Sequence, residues 1–280
     1  MAQVWKLNGK YEILSEGELP ISPDANLDQI SKLLPGGAYT TFRTYDHYKI
    51  VSLENHFLRL EETAALAGKP IQLDYEKLRG TIREIVHREL TRELRIRITL
   101  DLQENPGLIY LSYEPLVTPA KELYETGASA ETTLLERDNP KAKLTDFIIR
   151  SQELKSRLNQ DLQEILMVNS SGEITEGLTS NFFGVLDNKI FTAEEGVLLG
   201  ITRSALIEEA QKFGFEIVYK PVRVDELPRL EEAFITSTSR LVLPIREIDQ
   251  QPIRNGIPGV VTKKLIELLK RRIVSEYEEI

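Results

Sequence analysis

The feature that most constrains how this 280-residue chain can fold is a polar six-residue stretch between two strand-like runs. It begins at Glu176 and ends at Asn181, and the apolar runs 164–168 and 182–186 flank it. Short apolar runs on both sides of a polar connection are typical of two strands of a sheet. If Glu176 is held in a partly buried turn, its carboxylate needs a cationic or N–H partner, because an unpaired buried charge is very costly.

Composition places the chain among ordinary globular proteins. Apolar residues make up 41% and charged residues 28% of the sequence, so its length predicts one large or two medium α/β domains. The net charge is −9, which disfavours nucleic acid as a partner. Because there is no cysteine, a disulfide framework and a cysteine nucleophile are excluded.

No metal site and no membrane partner are expected. The three histidines are scattered without the spacing of metal ligands. The N-terminal residues lack the apolar core of a signal peptide, and no apolar run approaches the roughly 20 residues of a membrane span. We therefore expect a cytoplasmic protein.

Sequence patterns predict a mixed arrangement of strands and helices. In the first part of the chain, the predicted elements are a hairpin of residues 37–44 and 48–51, a helix capped by Asn55 that ends at 68–70, a helix over Tyr75–Leu90, and strands over 94–100 and 107–113. Proline residues then predict an interdomain linker over 117–131. The predicted domains are residues 1–116 and 132–280.

The second domain continues the same mixture. Its predicted elements are a helix with Phe147, Leu154 and Leu158 on one face, the two strands that flank the polar stretch, strands over 189–192 and 233–237, a helix that opens at 199–203, and a final helix over Val260–Tyr277.

Three further polar groups could bind an anion. Residues 200–203 combine a glycine with a hydroxyl at a helix start, where free N–H groups favour phosphate. Residues 236–239 are four hydroxyl side chains that follow an apolar strand, and Arg59 lies on a predicted helix. Each also has an ordinary explanation as a helix cap, a polar loop or a solvated arginine. Together with Glu176 they fit one ligand, pyridoxal phosphate, which needs a phosphate site, a carboxylate near its ring nitrogen and a lysine.

The chain resembles the fold-type IV, or class IV, aminotransferases, which include branched-chain aminotransferases, D-amino-acid aminotransferases and aminodeoxychorismate lyases. The resemblance rests on five ordered blocks, residues 55–60, 173–183, 189–192, 200–203 and 237–239. It covers nearly the whole chain. It implies an α/β (α+β) fold with a small N-terminal and a larger C-terminal domain, pyridoxal 5′-phosphate in the cleft between them, and a homodimer.

The resemblance also implies which lysine forms the Schiff base. Lys143 precedes Glu176 by 33 residues, near the start of a predicted helix, as the lysine of this family does. Lys141 is the alternative, and Lys155 lies too far along the helix. Lys143 would then move the proton between the substrate and the cofactor, a role that requires it to be neutral part of the time.

The other implied roles follow motif by motif. Glu176 pairs with the pyridine nitrogen, and Tyr39 lines the substrate site. The phosphate is held by Arg59, Ile201, Thr202 and Thr238. Further substrate candidates are Arg43, Arg97 and Ser239.

Two positions depart from the family pattern. Phe147 stands where many relatives have a tyrosine that bonds the cofactor's phenolic oxygen, and phenylalanine cannot donate a hydrogen bond. Leu100 stands where D-amino-acid enzymes and lyases often carry an arginine. Arg95 or Arg97 on the same strand, or Arg43 or Arg240 elsewhere, could bind a carboxylate instead.

These features favour an aminotransferase that moves an amino group from an α-amino acid, of the branched-chain type, to a 2-oxo acid. An aminodeoxychorismate lyase, a D-amino-acid aminotransferase, and a binding module without cofactor are the alternatives.

Overall fold

The computed structural model describes residues 2–16, 22, 24–89 and 91–280. The chain divides into two compact units. Unit 1 comprises Met1–Val117, Ala142–Arg150 and Glu276–Ile280, and unit 2 comprises Thr118–Lys141 and Ser151–Ser275.

Unit 1 contains a five-stranded antiparallel sheet of order β2-β1-β6-β5-β3 and a separate pair of short strands, β4 and β17. The strands are β1 (Gln3–Leu7), β2 (Ile13–Glu16), β3 (Gly37–Arg43), β4 (Lys49–Ile50), β5 (Leu94–Asp101), β6 (Ile109–Pro115) and β17 (Glu278–Glu279). The helices are α1 (Leu27–Ser31), α2 (Leu53–Leu66), α3 (Tyr75–Val86) and α5 (Asp146–Arg150).

The side chains of β5 point alternately to the two faces of the sheet in unit 1, and each face packs against a different layer. Its even-numbered residues, Leu94 to Leu100, are buried in one apolar cluster with residues of α2 and α3. Because successive strand residues point to opposite faces, Arg95, Arg97 and Thr99 face the other way. On that side α1 packs through Leu27 and Ile30.

Three local predictions in unit 1 need correction. β3 pairs with β5, and β4 pairs with β17, so the hairpin predicted for residues 37–44 and 48–51 is reduced to one antiparallel bridge, between Tyr45 and Lys49. Asn55 lies inside α2, whose N-cap is Ser52 in a left-handed conformation. The predicted helix over Tyr75–Leu90 ends earlier, at Val86, and Leu90 lies outside the described residues.

Unit 2 contains a ten-stranded mixed sheet. Its order is β12-β11-β10-β14-β15-β7-β8-β9-β13, with β16 paired to β15. The strands are β7 (Ala128–Leu134), β8 (Leu162–Val168), β9 (Glu173–Gly177), β10 (Asn181–Leu186), β11 (Lys189–Phe191), β12 (Ile217–Val218), β13 (Val222–Arg223), β14 (Glu232–Ser237), β15 (Leu241–Ile248) and β16 (Gln251–Pro252). β10 also pairs with β9 through Asn181 and Glu176, so six strands form a closed circuit.

Four α-helices and one 3₁₀ helix accompany this sheet. They are α4 (Lys121–Thr126), α6 (Gln152–Lys155), α7 (Ile201–Phe213), α8 (Val260–Ser275) and the 3₁₀ helix Val224–Arg229. α7 starts after the extended Gly200 and ends at Gly214, whose φ of 101° is a left-handed value that glycine adopts at little cost. α8 begins where Glu232 accepts hydrogen bonds from the backbone N–H groups of Val261 and Thr262.

One prediction in and around unit 2 needs correction, and the predicted linker contains regular secondary structure. Residues 117–131, predicted as a linker, contain α4 and the start of β7. The single helix predicted through Phe147, Leu154 and Leu158 is two short helices, α5 and α6, on either side of Ser151. Among the described residues, no helix is long and apolar enough to cross a membrane.

Candidate active site

Glu176 lies in β9 and is buried, with a relative exposure of 2%. Its carboxylate is therefore held by a strand and not by a turn. The expected partners are present: Arg137 Nε lies 2.6 Å from Oε1, and the Leu198 N–H donates to Oε2 at 3.2 Å. Both charged side chains are buried, so the pair keeps Glu176 from being an uncompensated charge.

Asn181 links Glu176 to the segment that precedes α7. Its Nδ2 donates to the Leu198 carbonyl at 2.6 Å and to Glu176 Oε2 at 3.4 Å. A Cβ at Gly200 would overlap Asn181 Oδ1, so this position has no room for a larger residue. The glycine is thus required by a close approach to Asn181.

The N-terminus of α7 carries Ile201 and Thr202, two of the predicted phosphate residues. Gly200 has no side chain to cap the helix, and the first N–H groups of any α-helix have no partner within it. Arg203, the next residue, is 4% exposed and donates to the Ala193 carbonyl at 2.9 Å. Burial lowers the pKa of this arginine. These N–H groups and the helix dipole suit an anion.

The hydroxyl residues 236–239 leave β14 and enter the turn before β15. Thr236 is 1% exposed and pairs with Asn181 across the strands. Among the described residues, Thr236 Oγ1 has no hydrogen-bond partner. Thr238 and Ser239 follow in the turn.

The same turn is held by Arg240, which the sequence suggested as one carboxylate-binding candidate. Its guanidinium lies 2.7 Å from the carboxylate of the fully buried Glu164 and donates to Ser237 Oγ at 3.0 Å. Thr179 and Ser180 also donate to Glu164. This network ties the turn after β14 to the polar stretch that follows β9.

Lys143 lies in unit 1, between β3 and α2. The Tyr39 N–H donates to the Lys143 carbonyl at 2.9 Å, and the Lys143 N–H donates to Thr63 Oγ1 at 3.3 Å. Its Nζ lies 4.7 Å from the centre of the Tyr39 ring, within cation–π range. The backbone contacts therefore direct this lysine over the predicted substrate residue Tyr39.

His56, a residue of α2 that was not predicted as a site residue, is buried beside this lysine. Its Nδ1 lies 2.7 Å from Thr40 Oγ1. Burial first, and then the positive charges of Arg59 and Lys143, lower the pKa of His56 to about 3. The imidazole is thus neutral near pH 7, and Arg59 and Lys143 are its charged neighbours.

The arginine Arg97 is fully engaged within unit 1. Its guanidinium lies 2.8 Å from Asp28 and donates to Ser31 Oγ at 2.7 Å and to the Leu27 carbonyl at 2.9 Å. It also lies 4.8 Å from the centre of the Tyr39 ring. Tyr39 is therefore in contact with two cations.

Three further residues that the sequence singles out lie in unit 1. Arg43 stacks on Tyr45, with 4.5 Å between guanidinium carbon and ring centre. Leu100 is fully buried in the apolar cluster, and Phe147 is buried in α5.

Within each unit the structure brings together part of the predicted set. Unit 1 brings Lys143 to Tyr39, with His56 as the added neighbour. Unit 2 brings Glu176 to the segment before α7, with Arg137 and Asn181 as the added residues. Asn181 lies in the six-residue polar stretch, whereas nothing in the local sequence around Arg137 connects it to a residue 39 positions away.

Comparison with known proteins decides the family. The model of the family described as amino-transferase class IV matches residues 37–248, which is most of the chain. The chain belongs to the class IV aminotransferases. It is accordingly a transaminase that depends on pyridoxal 5′-phosphate, and the family, fold class and cofactor expected from the sequence are confirmed.

Two curated relatives match this aminotransferase over most of its length and most of theirs. The D-alanine aminotransferase of Bacillus licheniformis is 28% identical over 264 residues, covering 86% of this chain and 88% of the relative. The branched-chain-amino-acid aminotransferase of Pseudomonas aeruginosa is 27% identical over 272 residues, covering 89% of each. The crystal structure of the Escherichia coli branched-chain amino acid aminotransferase has a TM-score of 0.76 and 21% identity, covering 99% of this chain and 95% of that one. That likeness supports the fold.

The residues of unit 2 fit the phosphorylated pyridine cofactor of the family. The helix start at Gly200 suits the phosphate group, as does the buried hydroxyl of Thr236, which has no hydrogen-bond partner in the part of the chain that the structure describes. Glu176, oriented by Arg137, suits a protonated ring nitrogen. No residue of this set conflicts with such a ligand.

Proposed function

We propose that this class IV aminotransferase transfers the amino group of a branched-chain L-amino acid to a 2-oxo acid, with Lys143 as its catalytic lysine. The observation that carries the substrate preference is the burial of Leu100 in the apolar cluster of unit 1. An apolar residue that faces the core cannot bind a carboxylate, so the position lacks the arginine that D-amino-acid enzymes and lyases often use. The branched-chain names of many relatives support the same choice.

Each proposed residue has a defined task. Pyridoxal phosphate, when bound, supplies a carbonyl for amine exchange and a ring that withdraws electrons from the substrate. Lys143 provides the amine for cofactor attachment and moves the proton at the substrate Cα. Glu176 holds a proton on the ring nitrogen.

The phosphate of the cofactor is assigned to four residues. Ile201 and Thr202 bind it with backbone N–H groups at the start of α7, because these groups have no partner within the helix. Thr238 contributes its hydroxyl from the turn that Arg240 and Glu164 stabilise. Arg59 contributes a positive charge.

The residues proposed to determine substrate binding, directly or through a neighbour, are Tyr39, Arg43, Arg97 and Ser239. Tyr39 is proposed to lie close to the reacting carbon, because Lys143 Nζ, which moves the proton at that carbon, lies over the Tyr39 ring. Arg97 acts through Tyr39, since its own hydrogen bonds are made to Asp28, Ser31 and Leu27.

A panel of L- and D-amino acids with 2-oxoglutarate as acceptor tests the substrate proposal. We expect fastest turnover with L-leucine, L-isoleucine or L-valine, followed as glutamate formation. The Lys143→Ala variant is the control, because it removes the amine. Faster turnover of a D-amino acid than of every L-amino acid would contradict the proposal.

D-amino-acid transamination is the second candidate, because the D-alanine aminotransferase of Bacillus licheniformis is as similar to this chain as the branched-chain relatives are. The same panel separates the two. Pyruvate release from aminodeoxychorismate without an acceptor would instead identify lyase activity.

We also propose that the enzyme is a cytoplasmic homodimer, as the family resemblance implies. Light scattering coupled to size exclusion tests the assembly: a mass near 31.9 kDa, that of one chain, would contradict it. Cell fractionation tests the location.

A further inference from the structure

We propose that Asn181 is a positioning residue that holds Glu176 and the N-terminus of α7 at a fixed separation, and thereby couples the two ends of the cofactor. The inference rests on the proposed roles of Glu176 at the ring nitrogen and of Ile201 and Thr202 at the phosphate. Asn181 itself need not touch the cofactor.

Strand pairing places Asn181 at the centre of the arrangement. It is the first residue of β10, and it pairs with Glu176 of β9 on one side and with Thr236 of β14 on the other. Paired residues on neighbouring strands direct their side chains to the same face of a sheet. The pairing with Glu176 also closes the circuit of six strands. A change at Asn181 would therefore be transmitted to both neighbours.

Hydrogen bonds extend this link to the helix. Leu198 uses both of its backbone groups: its N–H donates to Glu176 Oε2 at 3.2 Å and its carbonyl accepts from Asn181 Nδ2 at 2.6 Å. Leu198 lies two residues before Gly200, the N-cap of α7. The carboxylate and the helix start are thus connected through a single residue of backbone.

Close packing removes the remaining freedom of the segment. Asn181 Oδ1 occupies the space that a Cβ at Gly200 would take. The amide of Asn181 therefore bonds the segment at Leu198 and packs against it at Gly200. Asn181 is 6% exposed, so water does not readily replace these contacts.

A carboxylate cannot substitute for this amide. In Asn181→Asp the donor Nδ2 becomes an oxygen that faces the Leu198 carbonyl and the Glu176 carboxylate, and like charges repel. Asn181→Ala removes the donor without adding charge. Both changes free Leu198 to move relative to Glu176.

The test compares the affinities of the cofactor-free protein for pyridoxal 5′-phosphate and for pyridoxal, which lacks the phosphate. The dissociation constant for pyridoxal, divided by that for pyridoxal 5′-phosphate, reports how much the phosphate group adds to the affinity once the ring is bound. We expect Asn181→Ala and Asn181→Asp to reduce this ratio about tenfold, as the loss of a buried hydrogen bond predicts. General destabilisation would weaken both ligands alike.

Thr192→Val is the matched control. It also removes a buried hydrogen bond to a backbone carbonyl, from Thr192 Oγ1 to Phe182 at 2.9 Å, but that bond involves neither Glu176 nor Leu198. We expect it to lower thermal stability while the ratio stays unchanged. Gly200→Ala disturbs the same contact by placing a methyl group against Asn181 Oδ1, and it should reduce the ratio in the same way. It serves as a second test if an Asn181 variant does not fold.

Amide hydrogen exchange of residues 198–203 in the cofactor-free protein gives a second measurement, and we expect faster exchange in Asn181→Ala than in Thr192→Val. An unchanged ratio in Asn181→Ala and Gly200→Ala would overturn the positioning role while leaving the proposed function intact. Failure of the wild-type protein to bind pyridoxal 5′-phosphate would instead refute the proposed function.

Discussion

Unit 2 pairs each of two buried carboxylates with an arginine, whereas unit 1 places two cations beside a buried, neutral histidine. Glu176 has Arg137 at 2.6 Å and Glu164 has Arg240 at 2.7 Å. In unit 1, the charges that act on His56 are both positive and lower its pKa. The difference shows that the carboxylates of unit 2 are stabilised by the protein itself. In unit 1, burial and the positive neighbours keep the histidine neutral instead.

The largest expected effect comes from removing a cation of unit 1. Lys143→Ala should lower the transamination rate by about 1,000-fold or more, because both the attachment of the cofactor and the proton transfer are lost. Initial rates with an amino acid and 2-oxoglutarate measure it. Lys141→Ala, two residues away and exposed, is the control and should stay within about twofold of the wild type. A greater loss in Lys141→Ala than in Lys143→Ala would transfer the role to Lys141.

Breaking a pair in unit 2 should have the next largest effect. Arg137→Met leaves Glu176 as a buried charge without its arginine and should lower the free energy of unfolding by about 3–5 kcal/mol. Urea unfolding of the cofactor-free protein measures this loss. The double variant Arg137→Met with Glu176→Gln should recover part of it, since no buried charge remains. Equal losses in the single and double variants would show that Arg137 acts through contacts other than Glu176.

The pH dependence of unit 1 should reveal the neutral histidine. Below its ordinary pKa of 6.5, His56 binds a proton in the unfolded chain, whereas in the folded protein its pKa is about 3. Stability is therefore lost as the pH falls from 6.5, by about 2 kcal/mol at pH 5. Urea unfolding at pH 7.5 and pH 5 should show this loss in the wild type and a smaller one in His56→Asn.

The control for this measurement is His47→Asn, because His47 is exposed. It should keep the pH dependence of the wild type. An unchanged dependence in His56→Asn would mean that His56 is already protonated in the folded protein at pH 5.

The smallest expected effect concerns a third buried carboxylate of unit 2, which is paired with the start of a helix rather than with an arginine. Glu232 accepts from two N–H groups at the start of α8. Glu232→Gln should lower the free energy of unfolding by about 1 kcal/mol, because the helix end loses a negative charge. The adjacent, less buried Glu231→Gln is the control. A loss as large as that of Arg137→Met would show that helix N–H groups stabilise a buried carboxylate as strongly as an arginine does.

Local sequence patterns predicted the elements around the site well. The predicted strands near 164–168, 182–186 and 233–237 are present, and α7 begins directly after Gly200. These elements are encoded by apolar runs and by glycine at a helix boundary, which act over a few residues. The predicted N-cap of α2, Asn55, was wrong, because the helix starts after Ser52, whose left-handed conformation the sequence does not indicate. Strand pairing was predicted less well than the strands themselves, because β3 pairs with β5 and not with β4, its neighbour in sequence.

Site residues divide in the same way. Glu176 and the start of α7 were recognised from motifs. Arg137 and His56 were missed as site residues, because their importance arises from which side chains lie beside them. The sequence required a cation for Glu176, and only the structure identified Arg137 as one.

The sequence by itself determined the family, the cofactor and most of the strands and helices, because these depend on short motifs and on the periodicity of apolar residues. The tertiary structure decided which charged side chains form ion pairs with each other. It pairs Glu176 with an arginine 39 residues away and engages Arg97 with Asp28. It also buries Leu100 in the core. Charge pairing and burial depend on distances between residues that are remote in sequence, and folding sets those distances.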